Sequence, residues 1–202
     1  MQPRTIFKVF STINLKELAS GTVNIHADLI RRCKKQDRAA QFEIYQLYKK
    51  AMFNTALRIT GESTDAEDVL QDAFVSAFQN LNSYREDATF GAWLKRIVVN
   101  KALNHVQKSK KDLMLADEIK EQEPQVDWAE EKEPVYSVDK IKGAMNQLPS
   151  GFRTVLSLYL FEGYDHKEIS EIMGITESTS KSQYKRAKDK LRLILKQEVN
   201  YG

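Results

Sequence analysis

The sequence of 202 residues is poor in the residues that form cross-links and metal sites. Its single cysteine, Cys33, excludes an internal disulfide and a zinc cluster built from cysteines. The three histidines, His26, His105 and His166, are scattered and lack the spacing of metal ligands. We therefore expect no metal and no other cofactor, and a protein that works in a reducing cytoplasm.

Glycine, proline and long apolar runs are also scarce. Eight glycines and four prolines are too few for a loop-rich all-β protein, and no strand-like alternation persists. No apolar run approaches the ~20 residues of a membrane helix. Polar residues interrupt the apolar patches near the N-terminus, so we interpret residues 1–23 as an N-terminal extension. With 42% hydrophobic and 29% charged residues, the rest is expected to be soluble and globular.

Charge is distributed unevenly, although the net charge is only +3. Between Asp112 and Ser137, nine acidic residues face two lysines, whereas the remainder has 29 basic and 19 acidic residues. The pattern predicts two basic domains, 24–110 and 138–202, joined by an acidic flexible linker, 111–137. Two basic domains suit contact with a polyanion, although a plain solvated linker is equally compatible with the charge pattern.

Apolar residues at three- and four-residue spacing predict that the first domain consists of successive helices. Asp37 is expected to cap a helix that ends at Gly61. A second helix, 65–81, is predicted to begin with Asp65 as its capping acid. A third helix is predicted from about Thr89 to Lys108.

The second domain is also predicted to be helical, and it contains a helix-turn-helix pattern. Asp165 begins a short helix with a capping-box pattern, Gly174 makes a tight turn, and a long basic helix follows. On that helix an inward face is predicted for Ser180, Tyr184, Ala187, Leu191 and Ile194. Lys181, Ser182, Lys185, Arg186 and Lys188 project elsewhere, where they could contact DNA bases and phosphates. The fold class is therefore all-α with two small helical domains.

Two faces of the first domain have opposite character. Trp93, Arg96, Asn100 and Asn104 line one side of the third helix, and Tyr84 lies in the polar loop before it; both suit unpaired bases. The alternative is that Trp93 and Tyr84 are core residues. On the second helix, Asp68, Gln71, Asp72, Val75 and Gln79 form an acidic and amide face. That face suits a protein partner, although a solvated helix face is the alternative.

Enzyme motifs are missing from the sequence. It has no phosphate-binding glycine loop, no histidine pair at helical spacing and no nucleophile elbow. A hydrolase or transferase is therefore disfavoured, and the expected class is a binding protein.

Several ordered motifs resemble bacterial sigma factors. Residues 65–74 (DAEDVLQDAF) and 90–100 (FGAWLKRIVVN) resemble the promoter-melting domain of that family. Residues 148–153 (LPSGFR), 168–175 (EISEIMGI) and 181–187 (KSQYKRA) resemble its C-terminal helix-turn-helix domain. Two domains with a short acidic linker are the pattern of the extracytoplasmic-function (ECF) group. The resemblance covers residues 25–198.

The resemblance implies a non-catalytic subunit that directs core RNA polymerase to promoter DNA and promotes melting. It assigns Asp68, Gln71 and Asp72 to polymerase docking. The residues implied at the −10 element are Tyr84, Lys95, Arg96, Asn100, Lys101 and Asn104. Those implied at the −35 element are Lys181, Ser182, Lys185, Arg186 and Lys188. The linker resembles the segment that enters the polymerase active-site cleft, and the family is compatible with control by an anti-sigma factor.

One departure from the family and two rival interpretations complete the analysis. Ser180 stands where relatives place an apolar core residue, which predicts loose packing of the recognition helix. The principal rival is a stand-alone helix-turn-helix regulator that binds an operator as a dimer. The other is a protein adaptor that never touches DNA.

Overall fold

The computed structural model describes residues 26–114 and 136–200, with side chains described for 26–108 and 136–197. The extension 1–23 and nearly all of the predicted linker lie outside the described residues. Chain packing divides the described part into two compact units, with the division between Lys108 and Ser109.

The first unit contains four α-helices within its described residues. They are α1 (Ala27–Lys34), α2 (Arg38–Thr60), α3 (Ser63–Gln79) and α4 (Phe90–Met114), with a 3₁₀ turn at Leu81–Ser83 between α3 and α4. Asp37 caps α2 as predicted, since its carboxylate accepts hydrogen bonds from the amides of Ala39 and Ala40. Gly61 ends α2 in a left-handed conformation with φ of 88°.

The second unit contains α5 (Val138–Asn146), α6 (Ser150–Leu160), α7 (His166–Met173) and α8 (Glu177–Asn200). Asp165 and Glu168 form the predicted capping box at the start of α7. Gly174 ends α7 with φ of 66°, which creates the turn before α8. The prediction of an all-α fold is confirmed, since no strand occurs in the ranges that the structure describes.

Three local predictions for the first unit differ from the structure. Helix α3 begins at Ser63 with Glu62 as N-cap, so the prediction that Asp65 is the cap was wrong. Asp65 lies in the first turn instead, 3.3 Å from Nε2 of His105 on α4. Helix α1 was not predicted, and α4 continues past Lys108 to Met114.

Each unit has its own apolar core. In the first, Ile44, Ile59, Leu94 and Val98 are almost fully buried. Cys33 on α1 is 1% exposed there, and burial raises the pKa of its thiol to about 11. The second core contains the predicted apolar stripe of α5 together with residues from α6 and α8: Ile141, Ala144, Met145, Leu148, Leu156, Ala187, Leu191, Ile194 and Leu195.

Candidate nucleic-acid interface

Helix α8 presents a polar face with a surplus of cations at its N-terminal half. Lys181, Ser182, Lys185 and Arg186 are exposed along this face. Nζ of Lys181 lies 2.6 Å from the carboxylate of Glu177, one turn earlier, and this pair lowers the pKa of Glu177. Lys188 is half-buried, with Nζ 5.1 Å from the ring centroid of Tyr184. An exposed basic face of this kind can reach phosphates and base edges in a groove of DNA.

A polar and aromatic cluster holds α8 against α6 and α7. Ser180 is fully buried, and its hydroxyl is hydrogen-bonded to Nδ1 of His166 at 2.9 Å. The ring of His166 stacks on Tyr159 with centroids 4.7 Å apart, and Tyr184 lies 5.5 Å from the same histidine. The prediction of loose packing at Ser180 was therefore wrong, because the hydrogen bond to His166 gives the buried hydroxyl a partner.

Helix α4 brings three of the predicted DNA-contacting residues to the surface of the first unit. Arg96, Asn100 and Asn104 are exposed at spacings of four residues, which places them on one helix face. Lys95 and Lys101 are half-buried beside them. Trp93 is half-buried, with its ring centroid 5.6 Å from that of Phe90. The face combines cations with amides, which can bind both a phosphate backbone and base edges.

Tyr84 is a packing residue in this structure. It is 7% exposed, and its ring lies 5.6 Å from Phe90 and 5.4 Å from Trp93. Its hydroxyl donates a hydrogen bond to the carbonyl of Ala88 at 2.7 Å, and burial raises its pKa. The structure therefore favours the core alternative for this ring, because its faces are covered by neighbouring aromatics. Tyr84 shapes the 84–89 loop rather than offering a stacking surface.

Helix α3 carries the acidic and amide face that was predicted from the sequence. Asp68, Gln71 and Asp72 are exposed, and Val75 next to them is 56% exposed. On the opposite side, Val69, Leu70, Ala73 and Phe74 are buried, and α3 packs closely on α2. A rigid acidic helix face with an exposed apolar residue suits a basic protein partner.

The site residues thus fall into three surfaces. The first unit carries the α3 face and the α4 face, and the second unit carries the α8 face. No group of three potential metal-ligating side chains occurs in the described part of the chain, and none of its helices could span a membrane.

Comparison with known proteins identifies both units. The family model Sigma-70 region 2 matches residues 44–112, and Sigma-70, region 4 matches residues 139–191. The solved structure of the sigma factor RpoE in complex with the anti-sigma factor NepR from Bartonella quintana has a similar fold. Its TM-score is 0.54 at 23% identity, over 76% of this chain and 95% of that one.

Two relatives from Bacillus subtilis match most of the chain. The ECF RNA polymerase sigma factor SigM is 30% identical over 158 residues, which cover 78% of this chain and 96% of SigM. The ECF RNA polymerase sigma factor SigW is 29% identical over 177 residues, which cover 83% of this chain and 95% of SigW. Together with the two matching regions, these similarities show that the chain belongs to the sigma-70 family, as an ECF-type RNA polymerase sigma factor.

Proposed function

We propose that this protein directs core RNA polymerase to a set of promoters and promotes DNA melting there, without catalysing a reaction itself. The observation that carries the proposal is the order of the two sigma regions, each matching one compact unit. A stand-alone regulator is disfavoured, since it would leave region 2 and its acidic face without a role.

The α3 face is the proposed docking surface for core polymerase. Asp68, Gln71 and Asp72 lie on consecutive turns of a helix whose other side is buried, so their positions are fixed before binding. Exposed carboxylates attract a basic partner and increase the rate of encounter. Val75 adds an apolar contact at the same face.

The α4 face is proposed to hold the melted strand of the −10 element. Arg96, Asn100 and Asn104 supply a cation and two amides along one line, with Lys95 and Lys101 beside them. Amides bind base edges that become accessible only when the duplex opens, whereas the cations bind either form. Contacts with bases that are free only after melting therefore favour the open state. Tyr84 contributes by shaping the loop next to this face.

The α8 face is proposed to read the −35 element in the major groove. Lys181, Ser182, Lys185 and Arg186 are the exposed candidates, and Lys188 is a candidate phosphate contact. The cluster of His166, Ser180 and Tyr184 fixes the helix from behind. Each domain makes few DNA contacts, so affinity and specificity are expected to arise only when polymerase holds both domains.

Location and regulation complete the proposal. A sigma factor works where polymerase and the genome are, so we propose a cytoplasmic location. We also propose control by an anti-sigma factor, the kind of partner present in the Bartonella quintana complex.

The test is in vitro transcription with core polymerase and fragmented genomic DNA of the source organism, followed by sequencing of RNA 5′ ends. Discrete start sites that require the protein and share two upstream elements are the expected result. The variant Asp68→Lys/Asp72→Lys should remove these start sites, because it reverses the charge of the docking face.

A matched control reverses two acidic residues outside that face. Glu62→Lys/Asp139→Lys makes the same change in net charge at exposed positions and should retain the start sites. Operator binding by a dimer in the absence of polymerase, with no new start sites, would instead favour the stand-alone regulator.

A further inference from the structure

A groove lies between α1 and the 84–89 loop, on a part of the first unit to which no role has been assigned so far. It has a volume of about 490 Å³ and is lined by Ala27, Asp28, Ile30, Arg31, Lys34 and Glu86. Two cations and two carboxylates thus surround a partly apolar floor. The groove adjoins the loop that the proposed function places next to the melted strand.

Lys34 joins the two walls of this groove. Its Nζ lies 3.5 Å from the carbonyl oxygen of Tyr84 and 4.0 Å from a carboxylate oxygen of Glu86. The same ammonium group is 5.9 Å from the ring centroid of Tyr84. Helix α1 therefore supports the loop and holds Glu86 at the edge of the groove.

The backbone at Glu86 is strained. Its φ is +63°, in the left-handed region that a residue with a Cβ rarely adopts. Among the described residues, Gln36 is the other non-glycine residue with a positive φ, and it lies in the turn that follows α1. Such strain persists where surrounding contacts impose it, and it is frequent at binding sites. Here the strained residue presents a carboxylate that is 68% exposed at the groove.

We propose that this groove binds a nucleobase of the melted DNA strand, next to the base held by the loop and α4. The proposal deepens the proposed function and rests on it. Alternating carboxylates and cations match the edge of a base, which has both donors and acceptors, better than they match a bare phosphate. Ala27 and Ile30 provide an apolar surface for the ring.

The lining also restricts which base is bound. A carboxylate accepts hydrogen bonds from the exocyclic amino group of cytosine, adenine or guanine, and thymine has no such group. Glu86 and Asp28 are the acceptors, whereas Arg31 and Lys34 can donate to a ring nitrogen or carbonyl oxygen. A base with an amino group is therefore favoured over thymine at this position.

The test uses holoenzyme and fork-junction oligonucleotides from a promoter mapped by the transcription experiment. Each unpaired position is replaced in turn by an abasic site and by the four bases, and binding is measured by fluorescence anisotropy. One position adjacent to the captured base should lose about tenfold in affinity with an abasic site or thymine, the usual effect of a charge-assisted contact. Glu86→Gln should reduce the discrimination against thymine to less than about twofold.

Asp87→Asn is the matched control, since it removes one charge from an exposed residue of the same loop that does not line the groove. It should keep the discrimination. A second readout is independent of loop stability: a photoreactive benzophenone amino acid in place of exposed Ala27 should cross-link to that same nucleotide. The same probe in place of Phe42, which is exposed on α2, should not.

The outcomes separate this inference from the proposed function. If wild-type holoenzyme makes discrete start sites but no adjacent position discriminates against thymine, the groove does not bind a base and the sigma function stands. Equal loss of discrimination in Glu86→Gln and Asp87→Asn, or cross-linking elsewhere, also overturns the inference. If no start sites are made, the proposed function fails first.

Discussion

The two units use polar groups differently in their aromatic clusters. In the first, the hydroxyl of Tyr84 is hydrogen-bonded to the carbonyl of Ala88 within its own loop. In the second, His166 is hydrogen-bonded to Ser180 across two helices, 14 residues apart in the sequence. The first bond shapes a loop, whereas the second fixes the position of one helix against another. Loss of either bond should therefore have effects of different size and at different places.

The binding faces have different relations to these clusters. The α8 face and its supporting cluster share one helix, so any shift of α8 moves Lys181 and Lys185 together. In the first unit the cluster lies at the start of α4, and the exposed amides follow one to three turns later. Binding and packing are thus closely linked in the second unit and more separate in the first.

The largest expected effect tests whether the α8 face binds without contributing to packing. Lys181→Glu/Lys185→Glu should reduce transcription from a mapped promoter about a hundredfold, since each lost DNA contact costs roughly tenfold. Hydrogen exchange of α7 and α8 should be unchanged, because both side chains are exposed. Lys142→Glu on α5 is the control and should retain transcription. A loss of protection in α8 would show that face and packing are not separable.

The next effect concerns the cluster of the second unit. His166→Phe should leave the buried hydroxyl of Ser180 without its partner and lower the local stability of α7 and α8 by about 1–3 kcal/mol. Hydrogen exchange of these helices, followed by mass spectrometry, measures this change. His166→Phe/Ser180→Ala should recover most of the loss because both polar partners are removed. Additive losses in the double variant would contradict this account, and His105→Phe in the first unit is the control.

A smaller effect is expected for the cluster of the first unit. Tyr84→Phe removes one hydrogen bond whose acceptor belongs to an exposed residue, so the free energy of unfolding should fall by about 1 kcal/mol or less. Urea denaturation checks this value. Open-complex formation should slow while polymerase binding is retained, since the loop alone is affected. Tyr45→Phe is the control, and a slowing of equal size there would separate the defect from the loop.

The smallest effect is the charge of Asp37 at the junction of α1 and α2. Hydrogen bonds from the amide of Ala40 and from Arg32 hold the pKa of Asp37 below its ordinary value of 3.8. Its stabilising contribution is therefore present at neutral pH and is lost as pH falls through the lowered pKa. Asp37→Asn keeps a capping side chain without the charge, so its stability should fall below wild type at pH 7 and converge with it in acid.

Thermal unfolding of the full chain across this pH range measures the difference. Asp139→Asn in the second unit serves as control, since Asp139 is almost fully exposed in a pair with Lys142. A difference between wild type and Asp37→Asn that grows as pH falls would have the wrong sign and reject the explanation.

Features determined by nearby residues were predictable from the sequence. The capping box at Asp165, the turns at Gly61 and Gly174 and the acidic face of α3 each depend on a few consecutive residues or on helical spacing. The short helix α1 was missed because it buries only Ile30 and Cys33, too few for a periodic signal. The start of α3 was misjudged because an acidic residue in the first turn resembles a cap.

Features determined by contacts between elements were not predictable. Phe90 and Trp93 cover the ring of Tyr84, and both belong to another element. Ser180 was expected to weaken packing because its partner, His166, lies on a different helix. The groove beside α1 requires Lys34 and Glu86, which are distant in sequence, to lie 4.0 Å apart. The roles of the individual residues at each binding face stay predictions.

The burial of Cys33 provides a built-in reporter of unfolding. This thiol is the only one in the chain, lies 1% exposed beneath α1, and has a pKa of about 11, so almost no thiolate is present at neutral pH. A thiol-specific reagent should therefore react only when α1 detaches, and the labelling rate reports the opening of the first unit separately from the second. The same protection permits a cysteine introduced elsewhere on the surface to be labelled selectively, with the native one left in place.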